Sequence, residues 1–253
     1  MRASSLMHAA DNLLLRHVFS PRITVRPSRP VVSFTFDDIP QSAASTGAAL
    51  LEQMGVRGTF YIAGGLASQD SDQGFADADA LRQLAAAGHE LACHTYSHRG
   101  MRAMSTAAGA ADLAQNADFF QSLLPGFQPS NFAFPFNKGT LGGLPALRSR
   151  FRTARGGHPA INRGSVPAFQ LSAVEIGQPE DSGLSKWLDD AAADPGWLIY
   201  FTHDVSATPS PYGSRPETLQ RLVRQALDLG CEVLTVDAAL DRLSVPKAPG
   251  QKA

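Results

Sequence analysis

From Pro30 onward the chain alternates short apolar segments with segments of helical periodicity. Alternation at this spacing predicts βα units, and therefore a parallel sheet or barrel. The predicted strands are Val31 to Phe36, Gly58 to Ile62, Glu90 to Cys93, Asn131 to Phe136, Phe151 to Ala154, Trp197 to Thr202 and Cys231 to Val236. The predicted helices are Ser42 to Met54, Asp77 to Ala87, Ser105 to about Leu124 and Pro216 to Leu229.

The composition narrows the class of protein without identifying it. The 253 residues carry 22 basic and 23 acidic side chains, with 43% hydrophobic and 18% charged residues. This is an ordinary globular composition, which excludes a mainly disordered or coiled-coil chain. A net charge of -1 argues against nucleic acid as the main partner, because phosphate binding needs a concentrated basic face. The two cysteines, Cys93 and Cys231, form no CxxC pair and are interpreted as buried free thiols.

Residues 1–29 are predicted to be an amphipathic, basic helical segment that precedes the barrel. Its apolar residues fall near one face at helical periodicity. The segment contains five arginines but only one acidic residue, Asp11. The apolar residues are Leu6, Ala9, Ala10, Leu13, Leu14 and Phe19, and the arginines are Arg2, Arg16, Arg22, Arg26 and Arg29. Such a helix docks on a membrane surface or on a second copy of the chain to give a homodimer. The alternative is a helix packed on its own domain.

The same segment bears on localisation. Asp11 and Asn12 interrupt the only candidate apolar core of a secretory signal, so a cytoplasmic protein is expected, peripheral to the inner membrane if the helix binds there. Residues 30–245 are predicted to form one barrel domain, and residues 246–253 a tail.

Titratable side chains follow the predicted strands at the points where the strands end. Asp37-Asp38 follows the first strand, and His94 to His98 follows the strand that ends at Cys93. Pro135-Phe136-Asn137 and His203-Asp204 follow two further strands. In a parallel barrel the loops at the carboxyl ends of the strands converge on one mouth, where catalytic residues lie. The joint placement therefore predicts an active site there.

His94 and His98 are spaced so that both reach one metal ion if they lie on a helical turn. Thr95 follows His94, so the pair is not the zinc-protease motif, in which a Glu at that position is the general base. Asp37 and Asp38 point to opposite sides on leaving their strand, so one carboxylate can bind metal while the other faces water. The alternatives are a core or capping histidine pair, and a turn plus helix cap for the two aspartates.

These motifs resemble those of the polysaccharide deacetylases with the NodB homology domain, carbohydrate esterase family 4. Thr35-Phe36-Asp37-Asp38 is similar to the first motif, His94 to His98 to the second, and Ile199 to His203 to the last. The resemblance spans about Val31 to Leu243. It implies an α/β fold, an incomplete, distorted (β/α)7 barrel of the NodB type. Within the family, the chain resembles bacterial exopolysaccharide deacetylases, including those acting on holdfast-type polysaccharide.

The resemblance also implies a mechanism. Asp38, His94 and His98 would bind Zn²⁺ or another divalent transition metal, and a water on that metal would attack the acetyl group of an N-acetylated glycan. Asp37 would be the general base and His203 the general acid. The backbone N–H of Phe136 would stabilise the oxyanion. Separately from the resemblance, the run from Ser210 to Gly213 after His203 is interpreted as a rim loop whose Tyr212 stacks on sugar, with a simple turn as the alternative.

Two departures from the family pattern concern positioning. The third motif usually has an Arg that holds the catalytic Asp, and Ala133 occupies that position here. Arg155, after the next predicted strand, is the candidate replacement, or is simply a surface arginine. The fourth motif has no clean match, although Asp204 could partner His203. Two rival functions stay open: a metal-dependent O-acetyl esterase or other amidohydrolase, and a carbohydrate-binding protein with an inactive site.

Overall fold

A curled sheet of parallel strands forms the core of the computed structural model, which describes residues 10–68, 74–179 and 183–248. The strands are β1 Arg22–Val25, β2 Val31–Phe36, β3 Thr59–Ile62, β4 Glu90–Cys93, β5 Asn131–Ala133, β6 Thr153–Arg155, β7 Gly164–Pro167, β8 Val174–Glu175, β9 Trp197–Thr202 and β10 Glu232–Val233. The main path of the sheet runs β6-β5-β4-β3-β2-β9-β8, and β10 pairs with β2. The seven strands on that path, counted among the described residues, confirm the predicted (β/α)7 barrel.

The central strands read as continuous apolar runs because both of their faces are covered. Every residue of β2 and of β9 is buried. These two strands pair in parallel over six residue pairs, from Val31 with Trp197 to Phe36 with Thr202. The register brings both carboxyl ends to the same level, so the residues that follow the two strands are neighbours.

The helices that cover the sheet begin and end at residues whose chemistry favours those positions. The side chains of Asp77, Ser105 and Thr235 each accept a hydrogen bond from a backbone N–H three residues later. Gly88 and Gly230 adopt positive φ, +87° and +73°, just after their helices. The α-helices are Ala48–Gln53, Gly64–Ala67, Ala78–Ala86, Thr106–Leu123, Leu144–Arg148, Leu184–Ala193, Pro216–Asp228 and Val236–Arg242.

The barrel is distorted at the junction between β6 and the segment that leads into β8. A bridge between Arg155 and Leu171 joins these two edges of the sheet. Beside the junction, β1 and β7 form a separate antiparallel pair, in which Arg22 faces Pro167. The β1–β7 pair covers this side of the barrel.

The N-terminal segment differs from its prediction in one part. Residues 10–14 are helical and continue into a π-helical turn, Leu15–Phe19, but Arg22–Val25 is a strand rather than helix. Pairing with β7 overrides the helical pattern there, because the edge strand offers backbone hydrogen bonds. Leu15 is fully buried in the barrel core, whereas Leu13, Val18 and Phe19 are more than half exposed. Residues 1–9 of the predicted helical segment lie outside the described part of the chain.

The predicted C-terminal tail packs on the barrel as far as it is described. The backbone carbonyl of Pro246 accepts a hydrogen bond from Arg152, and Lys247 pairs with Asp237 and Asp241. Residues 249–253 lie outside the described part. Within the described ranges, no helix has the length and apolar character needed to cross a bilayer.

Candidate functional site

Five of the predicted site residues lie together at the carboxyl end of the sheet. Asp37 and Asp38 leave β2, His94 and His98 follow β4, and His203 follows β9. The loops that hold them are strained, since non-glycine residues with positive φ are uncommon. The residues in this conformation at the mouth are Asp38, Ile39, Thr95, His98, Phe136 and Asn137.

Asp38, His94 and His98 form a cluster that could hold a metal ion. One ligand atom from each residue lies within 4.8 Å of the others. Oδ1 of Asp38 is 2.8 Å from Nε2 of His98 and 3.3 Å from Nε2 of His94. One carboxylate with two imidazoles is a common donor set for transition metals, and it leaves coordination positions for water or substrate.

The hydrogen bonds around this cluster fit a bound cation. Nδ1 of His94 lies 2.9 Å from the carbonyl of Ala133, so the neutral ring donates there and presents the lone pair of Nε2 to the cluster. Oδ1 of Asp38 is buried and has no well-oriented hydrogen-bond donor among the described residues. Burial raises the pKa of Asp38, but hydrogen bonds and positive charge from His94 and His98, which require protonated rings, lower it by more, so the net shift is downward. Positive charge at this point thus stabilises the ionised carboxylate, whether a proton or a metal ion carries it. Three converging lone pairs repel one another unless a cation lies between them.

The two histidines do not lie on a helical turn, so that part of the sequence interpretation is wrong. Thr95 and His98 have φ of 64° and 52°, and residues 94–98 form an irregular loop. The carboxylate of Asp112 holds this loop by accepting from the backbone N–H of Tyr96 at 2.8 Å and of Ser97 at 3.2 Å. Asp112 was not predicted. The sequence feature that could have indicated its role is the position of this acid among the apolar residues on the buried face of the helix Thr106–Leu123.

Asp37 is buried, and Arg155 is the cation beside it. The Nη2 atom of Arg155 donates to both carboxylate oxygens, at 2.7 and 2.5 Å, and the two residues are 1% and 3% exposed. The guanidinium lies over the rings of Tyr61 and Phe201, with centroids at 5.1 and 4.6 Å. Arg155 is therefore a buried partner of Asp37, not a surface arginine.

Ala133 and Arg155 are direct neighbours across the pairing of β5 with β6. The guanidinium therefore reaches Asp37 from the strand adjacent to the one on which the family pattern has its arginine. Ala133 is fully buried and forms a small cluster with Tyr61 and Ala92. Because the side chain of Ala133 is small, the side chain of Arg155 from the neighbouring strand β6 can occupy the space beside Asp37.

His203 lies on the other side of Asp38. Its Nε2 atom is 3.7 Å from Oδ2 of Asp38, and its Nδ1 atom is 3.2 Å from the carbonyl of Tyr212. That carbonyl also accepts from the backbone N–H of His203 at 3.1 Å. Asp204 does not contact the His203 ring; it accepts from the backbone N–H and hydroxyl of Ser210. Asp204 therefore shapes the loop that carries Tyr212.

Two exposed aromatic rings flank the cluster. Phe136 is 58% exposed, and its ring centroid lies 4.8 Å from that of His98. Tyr212 is 59% exposed, and its ring lies 5.5 Å from that of His203. Lys138 lies 5.8 Å from the Phe136 centroid. An open site between two aromatic faces suits a sugar chain better than a small enclosed ligand.

Comparison with known proteins gives concordant results. The family model for polysaccharide deacetylase matches residues 24–141. The chain is 27% identical over 185 residues to a chitin deacetylase of Colletotrichum lindemuthianum, covering 69% of this chain and 67% of that protein. It is 31% identical over 78 residues to a bifunctional xylanase/deacetylase of Pseudobutyrivibrio xylanivorans, covering 31% of this chain but only 12% of that protein.

A solved structure gives the same fold. The family 4 acetyl xylan esterase of Clostridium thermocellum, solved in complex with a cobalt ion, aligns with a TM-score of 0.62 and 22% identity. The alignment covers 88% of this chain and 96% of that one. The matching segment of residues 24–141 includes Asp37, Asp38, His94 and His98. Over residues 24–141 the chain therefore resembles the polysaccharide deacetylases, and it shares the fold of a carbohydrate esterase family 4 structure.

Proposed function

We propose that this chain hydrolyses acetyl groups from N-acetylated sugars of a bacterial polysaccharide or of its lipid-linked precursor. One observation carries the proposal. The Asp38, His94 and His98 cluster has the buried Asp37 next to it in sequence, and the imidazole of His203 lies 3.7 Å from its Asp38 carboxylate. Amide hydrolysis needs this set of groups: a polarising centre, a base for water and an acid for the departing amine.

Asp38, His94 and His98 are the residues that would hold a divalent metal, for which Zn²⁺ is our candidate. When bound, such a metal polarises the acetyl carbonyl and lowers the pKa of water. Support comes from the converging donor atoms and from the cobalt ion named in the C. thermocellum structure.

Each remaining residue has one task in this proposal. Asp37, oriented by Arg155, accepts the proton of the attacking water. His203 donates a proton from Nε2 to the departing amine, while the Tyr212 carbonyl accepts from Nδ1–H and fixes the tautomer. The backbone N–H of Phe136 is the oxyanion donor, and Tyr212 with Phe136 offers sugar-stacking surfaces.

A second candidate function is O-deacetylation. The acetyl xylan esterase whose structure aligns with this chain supports it. An alkoxide leaves more readily than an unprotonated amine, so an esterase depends less on an acid than an amidase does. The placement of His203 beside the cluster therefore favours the N-acetyl substrate.

The test is acetate release from N-acetylglucosamine oligomers and from O-acetylated xylan, with metal content measured on the same samples. We expect His94→Ala to lose metal and activity, and Asp37→Asn to keep metal but lose activity by about 10²–10⁴-fold. Preference for acetylated xylan would favour the esterase. Intact activity and metal in His94→Ala would contradict the site, and glycan binding without acetate release at any metal loading would favour the inactive binding protein.

A further inference from the structure

A cavity of about 580 Å³ lies between the N-terminal segment and the loop around His158, beside the candidate active site. We call it the cationic cavity. Its lining residues are Asn12, Leu13, Arg16, His17, Asn137, Gly157, His158, Pro159 and Gln170. None of these described residues is an Asp or a Glu, although the whole chain has 23 acidic and 22 basic side chains. The lining can therefore donate several hydrogen bonds and offers no carboxylate to compensate its positive charge.

The basic side chains of the cationic cavity lie close enough to affect one another. Burial lowers the pKa of His158, and the charges of Arg16 and His17 lower it further. Burial also lowers the pKa of Arg16. Cations that disfavour one another in a partly desolvated cavity are stabilised by a multivalent anion, and arginine binds phosphate oxygens through two parallel N–H bonds.

Gln170 supplies a second, independent indication of a ligand. It lines the same cavity and is only 1% exposed. Its Oε1 atom has no hydrogen-bond partner among the described residues. Leaving a buried amide oxygen unpaired costs about 1–3 kcal/mol, so such an atom indicates a missing donor. A hydroxyl group next to a phosphate, as on a phosphorylated sugar, would supply that donor.

The wall formed by the N-terminal segment is held in place by specific contacts. Oδ1 of Asn12 accepts from the backbone N–H of Gly139 at 2.8 Å, and Nδ2 of Asn12 donates to the carbonyl of Asn137 at 3.3 Å. The carbonyl of Arg16 accepts from Arg22 at 2.7 Å. The wall is therefore built before any ligand binds.

A single side chain links the cationic cavity to the candidate active site. Oδ1 of Asn137 accepts from Nη1 of Arg155 at 3.3 Å, and Nη2 of the same guanidinium holds Asp37. Asn137 also lines the cavity and is next in sequence to Phe136. The cationic cavity and the candidate active site are thus adjacent through Asn137, so a glycan bound at the catalytic cluster can extend toward the cavity.

We infer that the cationic cavity binds a phosphate ester carried by the glycan substrate. Arg16, His17 and His158 bind the phosphate oxygens, and Gln170 accepts from a neighbouring sugar hydroxyl. The link to the glycan rests on the proposed function, whereas phosphate binding itself does not. A neutral glycan would gain less than a phosphorylated one from the Arg16 guanidinium and from the two imidazoles, which can donate hydrogen bonds to phosphate oxygens.

The test is binding by calorimetry, without turnover, of N-acetylglucosamine 1-phosphate, neutral N-acetylglucosamine and inorganic phosphate. The measurement is made on metal-loaded and metal-free protein, so that phosphate binding at the metal is recognised. We expect the sugar phosphate to bind about tenfold more tightly than the neutral sugar. Arg16→Gln and His158→Gln should each remove most of that difference. Arg26→Gln, which removes one exposed positive charge from the same segment, should change the dissociation constant less than twofold.

Equal weakening by Arg26→Gln would overturn the inference, because the effect would then be one of net charge. So would equal affinity for the two sugars, or a preference that is lost when the metal is removed. Sedimentation with phosphatidylglycerol vesicles, but not with phosphatidylcholine vesicles, distinguishes a lipid headgroup as the source of phosphate. Vesicle binding that requires Arg16, without binding of the soluble sugar phosphate, would also overturn it. Lack of acetate release would refute the proposed function and leave phosphate binding unaffected.

Discussion

At the scale of single residues, two consecutive aspartates have opposite environments. Asp37 is 3% exposed and faces Arg155, whereas Asp38 faces two imidazoles. Alternation along an extended backbone separates their directions, and the positive φ of 63° at Asp38 turns the chain immediately afterwards. The same residue type thus has two roles in the proposed reaction, one as base and one as metal ligand.

Replacement of Arg155 by Met should separate positioning from metal binding. We expect acetate release to fall by about 10²-fold, because Asp37 loses the group that orients it, while metal content stays unchanged. Leaving Asp37 buried without its cation should also lower the free energy of unfolding by about 3–5 kcal/mol. Acetate release, metal analysis and denaturant unfolding measure the three quantities.

Two variants control this prediction. Arg155→Met combined with Asp37→Asn should recover most of the stability but none of the activity, since the uncompensated charge is gone. Arg163→Met breaks a partly exposed ion pair with Asp194 and two hydrogen bonds to backbone carbonyls, and it should change the free energy of unfolding by only about 1–2 kcal/mol. Wild-type activity in Arg155→Met would show that Asp37 needs no such partner.

At the scale of elements, the loop from Asp204 to Ser214 positions His203. Asp204 binds Ser210, Val205 bridges to Ser214, and the carbonyl of Tyr212 accepts from His203. Gly213 packs directly against Asp204, because a Cβ on it would lie 2.5 Å from the carboxyl carbon of Asp204. The loop is therefore closely packed, and it carries Tyr212, whose carbonyl is the hydrogen-bond partner of His203.

Gly213→Ala should disturb this loop. The added methyl group forces the Asp204 carboxylate or the backbone to move, which should cost about 1–3 kcal/mol of unfolding free energy and lower acetate release through His203. Gly109→Ala is the matched control in the helix Thr106–Leu123, where the nearest atom to a new Cβ is 3.5 Å away. It should raise stability by about 0.5–1 kcal/mol. Unchanged activity in Gly213→Ala would separate the loop from His203.

At the amino end of the sheet, a buried glutamate joins several elements through hydrogen bonds. Glu90, at the start of β4, accepts from Thr59 at 2.8 Å, from Asn131 at 2.7 Å and from the backbone N–H of Asp237 at 2.9 Å. Burial raises the pKa of Glu90 to about 7, although these donors oppose the shift. One side chain thus joins three strands to the helix Val236–Arg242.

The raised pKa of Glu90 predicts how stability depends on pH. The folded state holds the proton more tightly than an unfolded Glu of pKa ~4.3, so this contribution is complete below pH ~4.3 and is lost as pH rises through about 7. The loss amounts to roughly 3–4 kcal/mol. Relative to wild type, Glu90→Gln should therefore be more favourable at pH 8 than at pH 5, measured by denaturant unfolding. A difference that is the same at both pH values, as expected for the exposed control Glu217→Gln, would contradict the raised pKa.

At the scale of the whole molecule, the candidate metal site ties two separate βα units together. Asp38 follows β2, whereas His94 and His98 follow β4. The three ligands meet only in the folded chain, so a metal that binds them stabilises the fold by mass action.

Zn²⁺ added to metal-free protein should therefore raise the unfolding temperature. At a metal concentration about 100 times the dissociation constant, the gain is about 2.7 kcal/mol, or roughly 5–10 °C for a chain of this size. His98→Ala should remove most of the rise, and His158→Ala, outside the cluster, should keep it. An equal rise in both variants, measured by calorimetry, would assign the stabilisation to other sites.

Positive and negative charges are unevenly distributed along the chain, although the net charge is only -1. The arginines of the first thirty residues are offset by acids of the barrel. Part of the N-terminal segment packs at the barrel mouth, where Leu15 is buried and Asn12 contacts Gly139. Association with a membrane surface or a second copy stays a prediction, for which the exposed Leu13, Val18 and Phe19 are the residues to test.

Local patterns in the amino-acid sequence predict the βα alternation, the main strands and the clustering of Asp37, Asp38, His94, His98 and His203. The reason is local: apolar runs, helix caps and terminal glycines act within a few residues, and parallel strands carry their following residues to one edge. It also indicated that Arg155 was available to replace the arginine missing at Ala133.

The groups that make contact across the sheet are recognisable only in the folded chain. The register of β5 with β6 brings Arg155 to Asp37, the buried face of a distant helix brings Asp112 to the histidine loop, and Asp204 turns away from His203. The cationic cavity likewise needs Arg16 and His158 from segments far apart in sequence. Such contacts depend on strand pairing, side-chain packing and loop conformation over long separations, which local periodicity does not encode.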